Sequence, residues 1–144
     1  MIGNVDLDLL EKTYQNSSIG ITAIEAVLNK TDDKEFNNAL YSQLKDYQEL
    51  ADKSKDQLLK NGAKVKDNSL IEKTMMKGNV KMNTLMNPTE SHIAQMVIQG
   101  STMGITQMTK LLHAKQDADG ISTEIAEEFI KKEENNIEVM KKFL

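Results

Sequence analysis

The stretch Ser91–Thr109 contains no Asp, Glu, Lys or Arg, although these residues make up 28% of the chain. It reads SHIAQMVIQGSTMGITQMT, which places small or apolar residues over most of the circumference of a helix. A helix of this kind has to be surrounded by other helices. Polar residues within it, such as Gln95, Gln99 and Gln107, argue against a membrane span. We therefore expect a bundle in which neighbouring helices pack around this one.

The composition indicates an all-α protein with a single domain. The chain has 144 residues, with one proline, seven glycines and no cysteine. This length suits one core, and the scarcity of β-branched or aromatic runs favours long helices over short strands. Without cysteine there is no disulfide, no thiolate nucleophile and no sulfur ligand for zinc or an iron–sulfur cluster. The fold prediction is one helical-bundle domain over residues 1–144.

The charge pattern argues against nucleic acid as a partner. All 18 basic residues are lysines, and the net charge is −4. Arginine is the side chain best suited to phosphate and guanine, and a negatively charged protein lacks the field that attracts nucleic acid. The N-terminal residues MIGNVDLDLLEK have neither the basic nor the apolar region of a secretory signal. We expect a cytoplasmic protein with no membrane association.

Helix start and stop signals predict four long helices. The first runs from about Leu7 to Lys30, the second from Asp32 to Lys60, the third from a cap at Asn87 to Ala114 or Lys115, and the fourth from a cap at Asp119 or Ser122 to Leu144. A shorter helix is predicted from Ser69 to about Met86. Short turns join the first pair and the last pair, so each should be an antiparallel hairpin. The long middle connection allows the second and third long helices to run parallel.

Polar residues fall on the predicted inner faces of these helices. The inner stripe of the first helix follows steps of three and four residues through Leu10, Tyr14, Ser18, Ile21, Glu25 and Leu28. The second helix places Gln43 and Tyr47 in the middle of its stripe. The fourth helix places Lys132 and Asn136 among apolar residues. A carboxylate, Glu25, is thus predicted to face the interior.

Two hairpins joined by a long crossover resemble the ferritin-like superfamily, rubrerythrins and their uncharacterised bacterial relatives included, over nearly the whole chain. The resemblance implies a metal centre with Glu on the first and third helices and Glu-x-x-His on the second and fourth. Glu25 matches the first-helix position. The predicted second and fourth helices contain no histidine, because both histidines, His92 and His113, belong to the third.

A non-standard metal site is one interpretation of these residues. Its oxygen and nitrogen ligands for iron or another divalent ion would be Glu25, Glu90, His92 and Glu128, with Gln43 or Tyr47 nearby. The other interpretation is structural. The capping box at the helix start explains Glu90, and His92 in the same first turn covers the helix end.

Two functions from different classes are therefore open. The preferred one is a non-catalytic ferritin-like bundle, a structural or interaction module that associates with itself through a small-residue or Met-rich face. The missing Glu-x-x-His pairs and the spacing of Gly100 and Gly104 favour it. The alternative is a metal-binding ferritin-like protein that oxidises iron, handles peroxide or stores metal. No phosphate loop or Ser/His/Asp spacing marks another chemistry, so the sequence assigns no catalytic residue, substrate or protein partner.

Overall fold

The computed structural model describes residues 3–65, 88–115 and 120–144, and the regular structure in these ranges is entirely α-helical. The helices are α1 (Asn4–Val27), α2 (Lys34–Lys60), α3 (Glu90–Ala114) and α4 (Ile121–Lys141). The predicted all-α class and the four long helices are confirmed. The shorter helix predicted from Ser69 to Met86 lies outside the described residues.

The helix starts differ from the predicted ones because other residues cap them. Asp33, and not Asp32, caps α2 by accepting a hydrogen bond from the amide three residues on, at 2.9 Å. Thr89 caps α3 in the same way at 3.1 Å, in place of the predicted Asn87. Gly120 precedes α4 with φ 115°, a conformation that glycine adopts at little cost.

α3 runs antiparallel to α1, since residues near the start of one meet residues near the end of the other. Lys115 Nζ lies 2.5 Å from the Asp6 carboxylate, and the Thr13 hydroxyl lies 3.9 Å from the Met108 sulfur. α1 also forms an antiparallel hairpin with α2. α2 and α3 therefore point in the same direction, an arrangement that the length of the connection between them allows.

α4 completes the bundle antiparallel to α2 and α3. Phe36 at the start of α2 packs edge-on against Phe143, just past the end of α4, with ring centroids 4.9 Å apart. Lys53 near the end of α2 pairs with Glu128 near the start of α4 at 3.1 Å. α1 and α4 each contact all three other helices, whereas α2 and α3 occupy opposite corners. The core is built from the inner faces of all four.

One end of the bundle is held by an ion pair that joins three elements. Lys115, just after α3, pairs with Asp6 of α1 and donates a hydrogen bond to the Thr123 hydroxyl of α4 at 2.6 Å. Ser122, which the sequence suggested as a cap, donates its hydroxyl hydrogen bond to Asp6 instead. The bonds from Lys115 and Ser122 hold the pKa of Asp6 below its ordinary 3.8.

α3 is not the surrounded central helix that its composition predicted. Its inner face packs on the core through residues such as Ile93, Val97 and Met108, but its opposite face is open to solvent. Between Gln95 and Gln107, the exposed residues of that face, which we call the α3 outer face, are Gln95, Gln99, Gly100, Thr102, Met103, Thr106 and Gln107, and the charged Lys110 follows one turn later. The prediction was wrong because the glutamines and threonines recur at helical spacing and form a polar side that water can cover.

α1 turns a different stripe inward from the predicted one. Its buried residues are Leu9, Leu10, Thr13, Ser17, Ile24 and Val27. This stripe is displaced by one residue, or about 100° around the helix, from the predicted stripe. Glu25 is consequently exposed and not inward. The inner side of α1 is lined partly by small residues, against which larger side chains of α2 and α3 pack, so hydrophobicity did not mark it.

Candidate functional site

Glu133 is a carboxyl group in the interior of the bundle. It lies on the inner face of α4 with only 3% of its surface exposed. Tyr47 of α2, also buried, donates its hydroxyl hydrogen bond to Glu133 Oε1 at 2.5 Å. Asn136 donates from Nδ2 to the same oxygen at 3.0 Å. These donors compensate part of the cost of burying the acid. We call Tyr47, Glu133 and Asn136 the central cluster.

Two glycines make room for the central cluster. Gly20 of α1 approaches the Tyr47 ring so closely that a Cβ there would lie 2.7 Å from ring carbons. At Gly104 of α3, a Cβ would lie 3.2 Å from the Phe129 ring and 3.5 Å from Glu133 Oε2. α1 and α3 thus approach the cluster with backbone, while α2 and α4 supply its side chains.

Burial dominates the electrostatics of the central cluster. Desolvation raises the pKa of Glu133 above its ordinary 4.5. Hydrogen bonds from Tyr47, from Asn136 and from the nearby Ser101 hydroxyl lower that pKa and offset part of the shift. Desolvation also raises the pKa of Tyr47 well above 10, and the charge of Glu133 adds to that shift. Tyr47 is therefore a neutral hydrogen-bond donor at physiological pH, and burial favours the protonated form of Glu133.

Several other buried polar groups have no hydrogen-bond partner. Gln43, one turn before Tyr47 on α2, is 2% exposed, and neither of its amide atoms is bonded. The hydroxyl of Ser17 on α1 is also unbonded. Each such group costs about 1–3 kcal/mol. The interior can therefore exchange a proton at Glu133 and offer amide and hydroxyl groups, but Glu133 is the single buried carboxyl group among the described residues.

The four predicted metal ligands do not form one cluster. Glu25 is exposed near the end of α1, at the end of the bundle where Glu90 and His92 occupy the first turn of α3. Glu128 lies near the start of α4 and pairs with Lys53. Among the described residues, no group of three or more His, Asp or Glu side chains is placed to hold a metal ion.

Sequence reasoning missed Glu133, the central acid. The predicted inner stripe of the last helix used Lys132, but that side chain turns outward and pairs with Asp46 at 2.9 Å. The buried residues in the second half of α4 follow helical spacing through Phe129, Glu133, Asn136 and Met140. This spacing was readable in the sequence. Glu133 was not predicted to be buried because glutamate is normally exposed at the protein surface.

A separate cleft of about 230 Å³ opens beside the first half of α1. Its lining combines two acids, two bases and apolar residues, among them Asp8, Glu11, Lys12, Lys64, Leu58 and Leu111. Small-molecule sites usually begin at roughly 300 Å³ and converge on a few polar groups. The cleft is smaller and its charges are mixed, so we assign it no ligand.

In the part of the chain that the structure describes, packing alone explains neither the central cluster nor the α3 outer face. No helix in the described ranges combines the length and apolarity that crossing a membrane requires. Comparison of the chain with protein-family models, with curated proteins and with solved structures finds no match.

Proposed function

We propose that this protein is a non-catalytic helical bundle that serves as a structural or interaction module and associates with itself through the α3 outer face. One observation carries the proposal: from Gln95 to Gln107 an exposed helix face carries no formal charge, in a chain that is 28% charged. Surface helices normally carry charged residues toward solvent. Although water can cover this polar face, contact with protein would bury it without the cost of removing a formal charge from water.

A second copy of the chain suits the α3 outer face in its charge and hydrogen bonding. Two copies with net charge −4 repel each other, and contact through an uncharged surface limits that repulsion. Glutamine and threonine side chains both donate and accept hydrogen bonds, so one such surface can pair with itself about a two-fold axis. The space around Gly100 is open, which permits close approach. Met103, 61% exposed, adds an adaptable apolar contact.

We also propose that the bundle is ferritin-like. The supporting observation is that two antiparallel hairpins pack together with α2 and α3 parallel. Ferritin-like bundles have this order of connections: a short turn, one long crossover and a second short turn. Ferritin-like di-iron proteins carry converging glutamates and Glu-x-x-His pairs inside the bundle. Here the interior formed by the four described helices holds one acid, Glu133, bonded to Tyr47 and Asn136. Such an interior favours a bundle without metal chemistry.

Metal binding for iron oxidation, peroxide handling or storage is the second candidate. Its motivating observation is that Glu25, Glu90 and His92 lie at the same end of the bundle and offer oxygen and nitrogen ligands. Anaerobic titration with ferrous iron, followed by measurement of metal per chain, separates the candidates. Near-stoichiometric metal that is lost in Glu25→Ala would favour this role. No retained metal supports the first proposal.

Light scattering on charge variants tests the interaction proposal. Gly100→Lys and Met103→Lys each add a charge to the α3 outer face, while Gln48→Lys adds the same charge to an exposed position on α2. We expect wild type and Gln48→Lys to associate at micromolar concentrations and the two α3 variants to be monomeric with unchanged helix content. Equal association of all four proteins would exclude the α3 outer face as the contact.

A further inference from the structure

Glu133 is buried without a positively charged partner. Its hydrogen-bond donors, Tyr47 and Asn136, are both neutral. The adjacent base, Lys132, turns away and pairs with Asp46 on the outside of the α2–α4 contact. A buried acid without a cation is more stable in its neutral form, because the charged form loses its hydration and gains no ion pair.

The helices packed against Glu133 supply no compensating charge. The buried residues of α1 and α3 include neither an acid nor a base. On α2, Tyr47 is the only titratable residue among the buried ones. Asp46 nearby is itself negative and disfavours a second negative charge on Glu133. Within the four described helices, hydrogen bonds alone oppose protonation of this acid.

We propose that Glu133 is a proton-dependent lock that holds α2 against α4. With the carboxyl protonated, Tyr47 and Asn136 bond it without leaving a charge in the core. When the proton is lost, an uncompensated negative charge is buried, and the bundle relieves it by opening the α2–α4 contact to water. Mild acidification should therefore stabilise this protein, whereas proteins with paired carboxylates lose stability on acidification.

Linkage between protonation and folding fixes the sign of this effect. A carboxyl whose pKa is raised by folding contributes stability that is complete below its unfolded value of 4.5 and is lost as the pH rises through the folded pKa. Among the described residues, the other groups with a shifted pKa affect stability outside this pH range. Asp6, with a lowered pKa, affects it below pH 3.8. Tyr47 and Lys132, whose pKa values are raised from 10.0 and 10.5, affect it at alkaline pH.

Urea unfolding from about pH 5 to about pH 9 at constant ionic strength tests the lock. Glu133→Gln is a permanently neutral analogue, and Glu134→Gln is a matched control because Glu134 is the exposed neighbour. A one-proton difference makes the unfolding constant rise about tenfold per pH unit between the two pKa values. We expect this rise in wild type and Glu134→Gln, and its loss in Glu133→Gln. A wild type without the rise, or a Glu133→Gln that retains it, overturns the proposal.

If Glu133→Gln does not fold, direct titration of the Glu133 carboxyl group in the wild type tests the lock. Carbon NMR of the wild type, with the Glu133 carboxyl assigned through bonds from its backbone, follows the proton itself. The carboxyl carbon should titrate above 4.5, the ordinary value for glutamate. Titration at or below that value overturns the lock. Met103→Lys should give the same titration, because the lock does not depend on association through the α3 outer face.

Discussion

Replacement of glycine by alanine should have opposite effects at two helical positions of this protein. In open space, the substitution stabilises a helix by about 0.5–1 kcal/mol, because alanine loses less backbone entropy on folding. Gly100 meets that condition, with nothing within 4 Å of the position of a Cβ. Gly100→Ala should therefore raise the free energy of unfolding by about that amount.

Gly20→Ala should destabilise the bundle. A Cβ at this position would lie 2.7 Å from two Tyr47 ring carbons and 2.8 Å from a third, so the ring or the α1 backbone has to move. Overpacking of this kind costs about 1–3 kcal/mol. Displacement of the ring also disturbs the 2.5 Å bond to Glu133, at a further cost of about 1–3 kcal/mol. After subtraction of the helix-propensity gain, we expect a net loss of about 1–5 kcal/mol.

Urea unfolding measures both variants through the midpoint at unchanged m value. A double-mutant cycle with Tyr47→Leu identifies the partner, since removal of the ring should reduce the cost of Gly20→Ala. The reasoning is refuted if Gly20→Ala stabilises the protein as Gly100→Ala does. A cost of Gly20→Ala that is unchanged in the Tyr47→Leu background would show that the close contact with the ring is not its cause.

Three further substitutions follow from the same contacts. Tyr47→Phe removes a donor to Glu133, so it should cost about 1–3 kcal/mol in urea unfolding and raise the pKa of Glu133 further in a carbon NMR titration. Asp6 has a lowered pKa beside Lys115, so wild type should lose stability as the pH falls below 3.8, and Asp6→Asn should weaken that dependence in acid unfolding. Glu128→Ala breaks only a surface pair and should change the free energy of unfolding by less than about 1 kcal/mol.

Local signals in the sequence were sufficient to predict the arrangement of the long helices. The Asn61-Gly62 stop is present in the structure, with Gly62 at φ 73° immediately after α2. Short turns correctly predicted antiparallel hairpins, and the length of the middle connection allowed the parallel arrangement of α2 and α3 that the structure has. These features depend on turn chemistry and chain length, and both are local properties of the sequence.

The inner faces were harder to predict because they depend on contacts between helices. Gly20 is an inner residue of α1 only because the Tyr47 ring fills the space beside it. Glu133 is buried because Tyr47 and Asn136, from two helices, bond the same oxygen. Neither fact is visible in one helix alone. The predicted ligand Glu25 differs from the true inner stripe of α1 by a single residue, which was enough to place it on the surface.

The molar mass of the wild-type protein in solution is the most direct test of the central claim, self-association of a non-catalytic bundle. Sedimentation equilibrium over micromolar concentrations measures it. We predict a mass that rises above the 16.2 kDa of one chain as the concentration increases, and a Met103→Lys variant that stays at one chain. A wild type that remains at 16.2 kDa at every concentration would contradict the account.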